Sequence, residues 1–224
     1  MPLEGEFLPF TEYLISEGHK VEMQEAKTPT AWFEDLGLIV SVAGHGKAQF
    51  AVVTQHLVES TGPFGVIIAA GSAGALARNI RPCDIVLATE TVEHDYKAWS
   101  KNGAPVPPRH ACSSLIRESI EKAQEGQRSF RLHTGAIASG DEDVADEGRA
   151  VDIHKKTHAL CVAWEGAGGA KAARFNGIPF LEIRAITDAA NADSPESFRR
   201  HLADAVENIG RVLLPWLRDR FDNN

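Results

Sequence analysis

Four acidic residues stand out by type and place. They are Glu6 near the chain start, Asp95 in His94-Asp95, Glu165 after Trp164, and Asp188 closing Arg184-Ala185-Ile186-Thr187-Asp188. Each falls at the end of an expected strand or in the loop beside one, where open α/β sheets place ligand sites. Carboxyl groups gathered there are suited to proton transfer. Singly, each has a plain structural explanation: a helix N-terminal acid for Glu6 and Glu165, a turn residue for Asp95, a cap after a strand for Asp188. Context shifts the balance. Arg184, Thr187 and Asp188 put charge and hydroxyl into an apolar run, and Trp164-Glu165 sits where such a run turns into a glycine-rich helix.

Other motifs fail on spacing. Gly44-His45-Gly46-Lys47 lacks the length of a phosphate-binding loop and has no Ser or Thr after the lysine, so it reads as a turn opening a helix. Gly166-Ala167-Gly168-Gly169 is not the dinucleotide fingerprint and has no downstream ribose acid, which leaves close helix packing. His154 and His158 are four apart, but Lys155 stands where a zinc protease needs its general-base Glu. Neither Ser72 nor Ser139 has the Gly-x-Ser-x-Gly spacing of a nucleophile elbow.

The elements that must position these acids alternate between short β-rich runs and longer helical patterns, the signature of a three-layer α/β/α domain. Strands are expected over Val21 to Ala26, Leu36 to Val42, Gly65 to Ala70, Asp84 to Thr91, Arg131 to Ala138, Ala159 to Ala163 and Phe180 to Ile186. Val66 to Ala70, apolar on both faces, belongs in the middle of a covered sheet. Helices are expected over Leu8 to Ser16, Lys47 to Glu59, Ser113 to Glu125, Gly166 to Phe175 and Pro195 to Arg220, the last kinked or ended by Pro215. Trp99 to Pro108 and Asp141 to Gly148 read as loops. No linker or repeat divides the chain, so one domain over 1–224 is expected.

Composition bounds the rest. The chain has 224 residues, 43% hydrophobic and 24% charged, with net charge -8, which is a globular rather than a disordered or fibrous balance. With no basic run, nucleic acid and anionic membranes are unexpected partners. Cys83, Cys112 and Cys161 are far apart, as expected of reduced cytoplasmic thiols, and the acids of the first six residues do not fit a secretory signal. The uncharged stretch between Glu59 and Arg78 contains Pro63 and four glycines, and so reads as a buried strand and tight loop rather than a membrane span.

Taken together, several segments resemble the purine nucleoside/uridine phosphorylase family, and within it the 5′-methylthioadenosine/S-adenosylhomocysteine nucleosidases. They are Gly44-x-Gly46-Lys47, Gly71-Ser72-Ala73-Gly74-Ala75-Leu76, Asp84-Ile85-Val86, His94-Asp95, Ala138-Ser139-Gly140-Asp141, Glu165-Gly166-Ala167 and Ile183 to Asp188. The resemblance spans nearly the whole chain and implies a nucleoside phosphorylase-like fold with a central mixed sheet. It implies that Asp188 donates a proton to purine N7, with Thr187 and Arg184 orienting it and the water site. Glu165 would hold the ribose hydroxyls and stabilise developing positive charge. Glu6 would activate water with help from Ser72, and the backbone of Val144 would meet the adenine edge. Phosphorylases of the family carry an Arg two residues before the Gly-Ser of the glycine turn and another near the N-terminus. Here Ala69 and the Arg-free segment Met1 to Lys20 occupy those places, so water is the expected nucleophile.

Three departures matter. The family has an apolar strand before the segment matching Leu3 to Glu6, so a first strand is expected to be missing, with a truncated start and looser order around Glu6. Trp164 replaces a Met that packs under the ribose, and Asp143 replaces an aromatic that stacks on adenine. Both still belong to the expected substrate pocket. Trp99 and Pro105 to Pro108 either close a dimer partner's pocket or form an exposed loop. The reading is a cofactor-free and metal-free cytoplasmic homodimer that hydrolyses 5′-substituted adenine nucleosides. Two alternatives stand beside it: a phosphate-using nucleoside phosphorylase, and a catalytically silent nucleoside-binding protein.

Overall fold

The computed structural model describes residues 1–25, 27–96, 106–124, 126 and 128–222. Helix α1 (Glu4–Ser16) turns Phe7, Phe10 and Leu14 inward, and its Glu6 and Thr11 are buried as well. A small antiparallel meander follows: β1 (Glu22–Glu25), β2 (Pro29–Phe33) and β3 (Leu38–Ser41), with Thr30 opposite Ser41 and Phe33 opposite Leu38. Strand β2 was not expected. It opens on a proline and its burial does not alternate, so the period-2 signal is absent.

Helix α2 (Gly46–Thr61) leads into the main sheet. Its strands are β4 (Ile67–Ala75), β5 (Ile85–Glu93), the short edge strand β6 (Arg109–Ala111), β7 (Leu132–Ser139), β8 (Cys161–Ala163) and β9 (Phe180–Asp188). The order is β6-β5-β7-β8-β4-β9, and β5 also pairs with β9. Pairs β4·β9, β5·β7 and β7·β8 are parallel, while β4·β8, β5·β9 and β5·β6 are antiparallel, which makes the sheet mixed as expected. The extra β5·β9 ladder closes five strands into a ring, and all nine residues of β9 are buried. Helices α3 (Ser114–Lys122), α4 (Glu147–Thr157), α5 (Gly166–Asn176) and α6 (Ser194–Asp222) complete the chain.

Several local expectations change. Pro215 does not end α6: Val212, Leu213, Leu214, Trp216 and Leu217 around it are all buried, so packing holds the last turns. The loop expected over Asp141 to Gly148 stops earlier, because the Asp146 side chain accepts the Arg149 N–H (2.8 Å) and starts α4. Trp99 and Pro105 lie outside the described residues. The glycines opening α5 serve close packing: a Cβ on Gly168 would enter the Lys47 backbone of α2, and one on Gly169 would lie 3.1 Å from both Phe50 and Phe180.

The chain start is tightly held rather than loose. Leu3 is extended, and ahead of it the Ala43 N–H donates to Met1 O (2.7 Å) and the Gly44 N–H to Pro2 O (3.0 Å). Between β3 and the first half of β4 lies an apolar channel of about 330 Å³, bordered by α2 and α6 and lined by Leu38, Val40, Ile67, Ile68 and Trp216 among others. Among the described residues the two strands do not pair across it. No helix among the described residues is long and apolar enough to cross a membrane.

Candidate active site

A second cavity, of about 420 Å³, opens where α1, the second half of β4, the β7–α4 loop, the β8–α5 turn and the end of β9 converge. Helix α1 delivers Glu6, which is 1% exposed. The Leu3 N–H donates to its Oε2 (2.9 Å), and the Ser72 N–H (2.7 Å) and hydroxyl (2.6 Å) donate to its Oε1. Gly71 makes this approach possible, because a Cβ there would lie 2.8 Å from Pro2 and 2.9 Å from both Arg184 and Glu6.

Glu165 sits at the N-cap of α5, where the helix dipole favours negative charge. Its Oε2 is 3.2 Å from Arg184 Nη1, and its Oε1 is 3.5 Å from the Gly46 N–H and 4.0 Å from His45 Nδ1. Burial pushes its carboxyl above the ordinary glutamate range against the pull of Arg184, and the neighbouring Glu6 charge adds to the rise. The turn that carries it is pinned by Ser139, whose hydroxyl donates to Trp164 O (2.9 Å) and accepts from the Ala167 N–H (3.0 Å).

Strand β9 supplies the remaining groups. Asp188 accepts from the Thr187 hydroxyl at Oδ2 (2.8 Å) and from the Ala190 N–H at Oδ1 (2.9 Å). The same Thr187 hydroxyl is 3.3 Å from Ala73 O, so its single proton has two alternative acceptors. Arg184 is 1% exposed and lies behind the cavity wall. Its Nε donates to Glu182 (2.8 Å) and its Nη1 to Ser72 O (3.3 Å).

Of the residues singled out in the sequence, Glu6, Ser72, Asp143, Val144, Trp164, Glu165, Thr187 and Asp188 line this one cavity. Asp95 does not. It holds Lys47 Nζ at 2.5 and 2.6 Å and accepts the Asp141 N–H at 2.9 Å, bracing the loop that leads to Val144. The histidine pair is a helix end: His158 takes a left-handed φ of 58° and His154 Nδ1 lies 2.8 Å from Ala159 O. No group of three His, Cys, Asp or Glu side chains among the described residues could hold a metal ion.

Sequence reasoning missed His45, Phe198 and Glu182. His45 lines the cavity with its ring 5.3 Å from and edge-on to Trp164, and Phe198 lines it from α6. Glu182 carried a readable signal: opposite charges two apart in an otherwise apolar strand share one face and pair when buried.

Five carboxylic acids line the cavity (Glu6, Glu142, Asp143, Glu165 and Asp188), and none of its described lining residues is Arg or Lys. Such a site can give and take protons and hold a cationic or hydroxylated ligand, but it repels a free anion.

Comparison with known proteins identifies the family. A family model described as Phosphorylase superfamily matches residues 1–218. A Bacillus cereus 5′-methylthioadenosine/S-adenosylhomocysteine nucleosidase is 30% identical over 212 residues, which cover 89% of this chain and 91% of the relative. The Neisseria meningitidis 5′-methylthioadenosine/S-adenosylhomocysteine nucleosidase, solved in complex with methylthio-immucillin-A, superposes with a TM-score of 0.84 at 24% identity, covering 97% of this chain and 96% of that one. Futalosine hydrolase of Helicobacter pylori superposes with a TM-score of 0.83 at 21% identity, covering 97% and 95%. Backbone shape alone therefore does not separate these two activities.

Proposed function

The chain belongs to the phosphorylase superfamily, and on that premise we propose that it hydrolyses the N-glycosidic bond of 5′-substituted adenine nucleosides such as 5′-methylthioadenosine and S-adenosylhomocysteine. The observation that carries the hydrolytic reading is the charge of the cavity. Five carboxylic acids and no Arg or Lys line it among the described residues, so a phosphate nucleophile would meet repulsion and no guanidinium fork, whereas neutral water meets acceptors already in place. The 30% identical relative named for this activity supports the substrate class.

Each residue then has a role. Asp188 gives a proton to purine N7 while the C1′–N9 bond breaks and its electron pair goes to the leaving base. The Thr187 hydroxyl suits both states of Asp188: it donates to the ionised carboxylate, or turns its proton to Ala73 O and accepts from the protonated acid. Glu165, ionised at the start of α5, holds the ribose hydroxyls and faces the developing cation. Glu6 and Ser72 hold the water, whose oxygen bonds to C1′ and whose proton passes to Glu6. The products are adenine and the 5-substituted ribose.

Val144 meets the adenine edge through its backbone. Asp143 accepts from a base amino group, and Trp164 stacks beside the sugar and narrows the 5′ end. Arg184 works from behind through Glu165 and Ser72. The working unit is the single domain over 1–224, as a cytoplasmic homodimer. Three unpaired cysteines support the compartment.

The test is to incubate the protein with 5′-methylthioadenosine, with and without phosphate, and to quantify adenine and the sugar. Equal adenine in both conditions, with free 5-methylthioribose, is expected. Strict phosphate dependence with a sugar 1-phosphate as product would replace this reading with a phosphorylase, and tight binding without adenine release would replace it with a nucleoside-binding protein.

A further inference from the structure

The reaction above leaves one buried carboxylate unused. Glu182 is 0% exposed and lies two residues before Arg184 on the same face of β9, a strand buried over its whole length. One of its oxygens accepts Arg184 Nε at 2.8 Å, and the other accepts the Thr91 hydroxyl from β5. Gly166 at the start of α5 leaves the space it fills, since a Cβ there would run into the Glu182 carboxylate. Three elements are thus shaped around a group that touches no cavity wall.

Arg184 explains why. A buried guanidinium facing a lone carboxylate closes on it with two parallel hydrogen bonds. Here it approaches Glu165 with Nη1 at 3.2 Å, while Nη2 is buried with no hydrogen-bond partner. The Nε bond to Glu182 ties down one edge of the guanidinium.

We propose that Glu182 is a positioning residue that restrains Arg184, keeping Glu165 open to the ribose hydroxyls instead of locked in a two-point ion pair. The inference rests on the reading of Glu165 as the ribose-binding carboxylate. It also accounts for the charge balance: Glu6 from α1, the Met1 ammonium, His45 at the start of α2 and Arg184 from β9 all face Glu165, and Glu182 offsets the Arg184 charge from the far side.

The test is Glu182→Gln, which keeps an acceptor for Nε and removes the charge, beside Thr91→Val, which keeps the charge and removes one of its anchors. For Glu182→Gln the KM for 5′-methylthioadenosine should rise roughly tenfold with kcat within about threefold, and Thr91→Val should move KM the same way by about threefold. In parallel, 13C NMR of the Glu165 carboxyl, assigned with Glu165→Gln, should show its titration midpoint lower in Glu182→Gln than in the wild type. Unchanged KM in both variants, or kcat falling with KM constant, would overturn the proposal, as would an unmoved midpoint. Should Glu182→Gln fail to fold by thermal melting, Thr91→Val decides by the same KM and kcat split. A wild type that releases no adenine would overturn the nucleosidase reading alone, because the NMR comparison still decides whether Glu182 governs the Glu165–Arg184 pair.

Discussion

Strand β4 borders both cavities of the molecule, and its two halves differ in kind. Ile67, Ile68 and Ala70 face a channel of about 330 Å³ lined mainly by aliphatic and aromatic side chains, whereas Ser72 to Gly74 face the site of about 420 Å³ lined by five carboxylic acids. The volumes are similar and the chemistry is not. The channel holds no carboxylic acid among its described lining residues. In the site each buried acid has its own donors: Ser72 and Leu3 for Glu6, Gly46 and Arg184 for Glu165, Thr187 and Ala190 for Asp188. Burying a carboxylate costs several kcal/mol unless it is partnered, so such an assembly marks function more sharply than apolar volume does.

Substitutions on either side of this divide should behave oppositely. The largest effect is expected from Asp188→Asn, which removes the proton donor and should lower kcat about a thousandfold while nucleoside binding, followed calorimetrically, is largely kept. An Asn variant with near wild-type turnover would end the proton-donor role. Gly71→Ala comes next: its Cβ must displace Glu6, Arg184 or Pro2, so kcat/KM should fall by about a hundredfold. Trp216→Ala on the channel side should do the reverse, costing about 3 kcal/mol in denaturant melts with kcat/KM within about twofold of wild type. Loss of activity in the folded Trp216 variant would show that the two regions are coupled.

A pH profile sharpens the contrast further. Glu165 must be ionised to hold the ribose and face the cation, and burial raises its pKa. The acid limb of the profile, where activity falls as pH drops and Glu165 takes up a proton, should therefore lie above the ordinary glutamate value of about 4.3. A limb at or below that value would contradict the burial argument. The smallest effect is expected for Trp164→Met, which widens the cavity beside His45. It should change the relative kcat/KM for long and short 5′ substituents by about tenfold or less and leave the reaction type untouched.

Much of this was legible from the chain alone, for reasons particular to each element. Helix α6 declared itself by Ser194, Pro195 and apolar residues at helical spacing, and β9 by its apolar run ending in Thr187-Asp188. Strands β2 and β6 did not, since one opens on a proline without alternating burial and the other has only three residues. Asp95 was grouped with the site acids because its sequence context matches theirs. Only the fold shows that Lys47, 48 residues away, holds it outside the cavity.

By itself the sequence determined the alternation of strands and helices, the mixed α/β class, and most of the residues that meet in the site, because periodicity, capping and spaced motifs are local properties. Tertiary structure alone decided which of those residues share a cavity and which stand behind it. The ladder between β5 and β9, the approach of Glu6 to Ser72 across 66 positions and the restraint of Arg184 by Glu182 and Thr91 are contacts between distant segments. Whether a buried charge is tolerable, and what it is then available to do, depends on the partners that only the folded chain brings within reach.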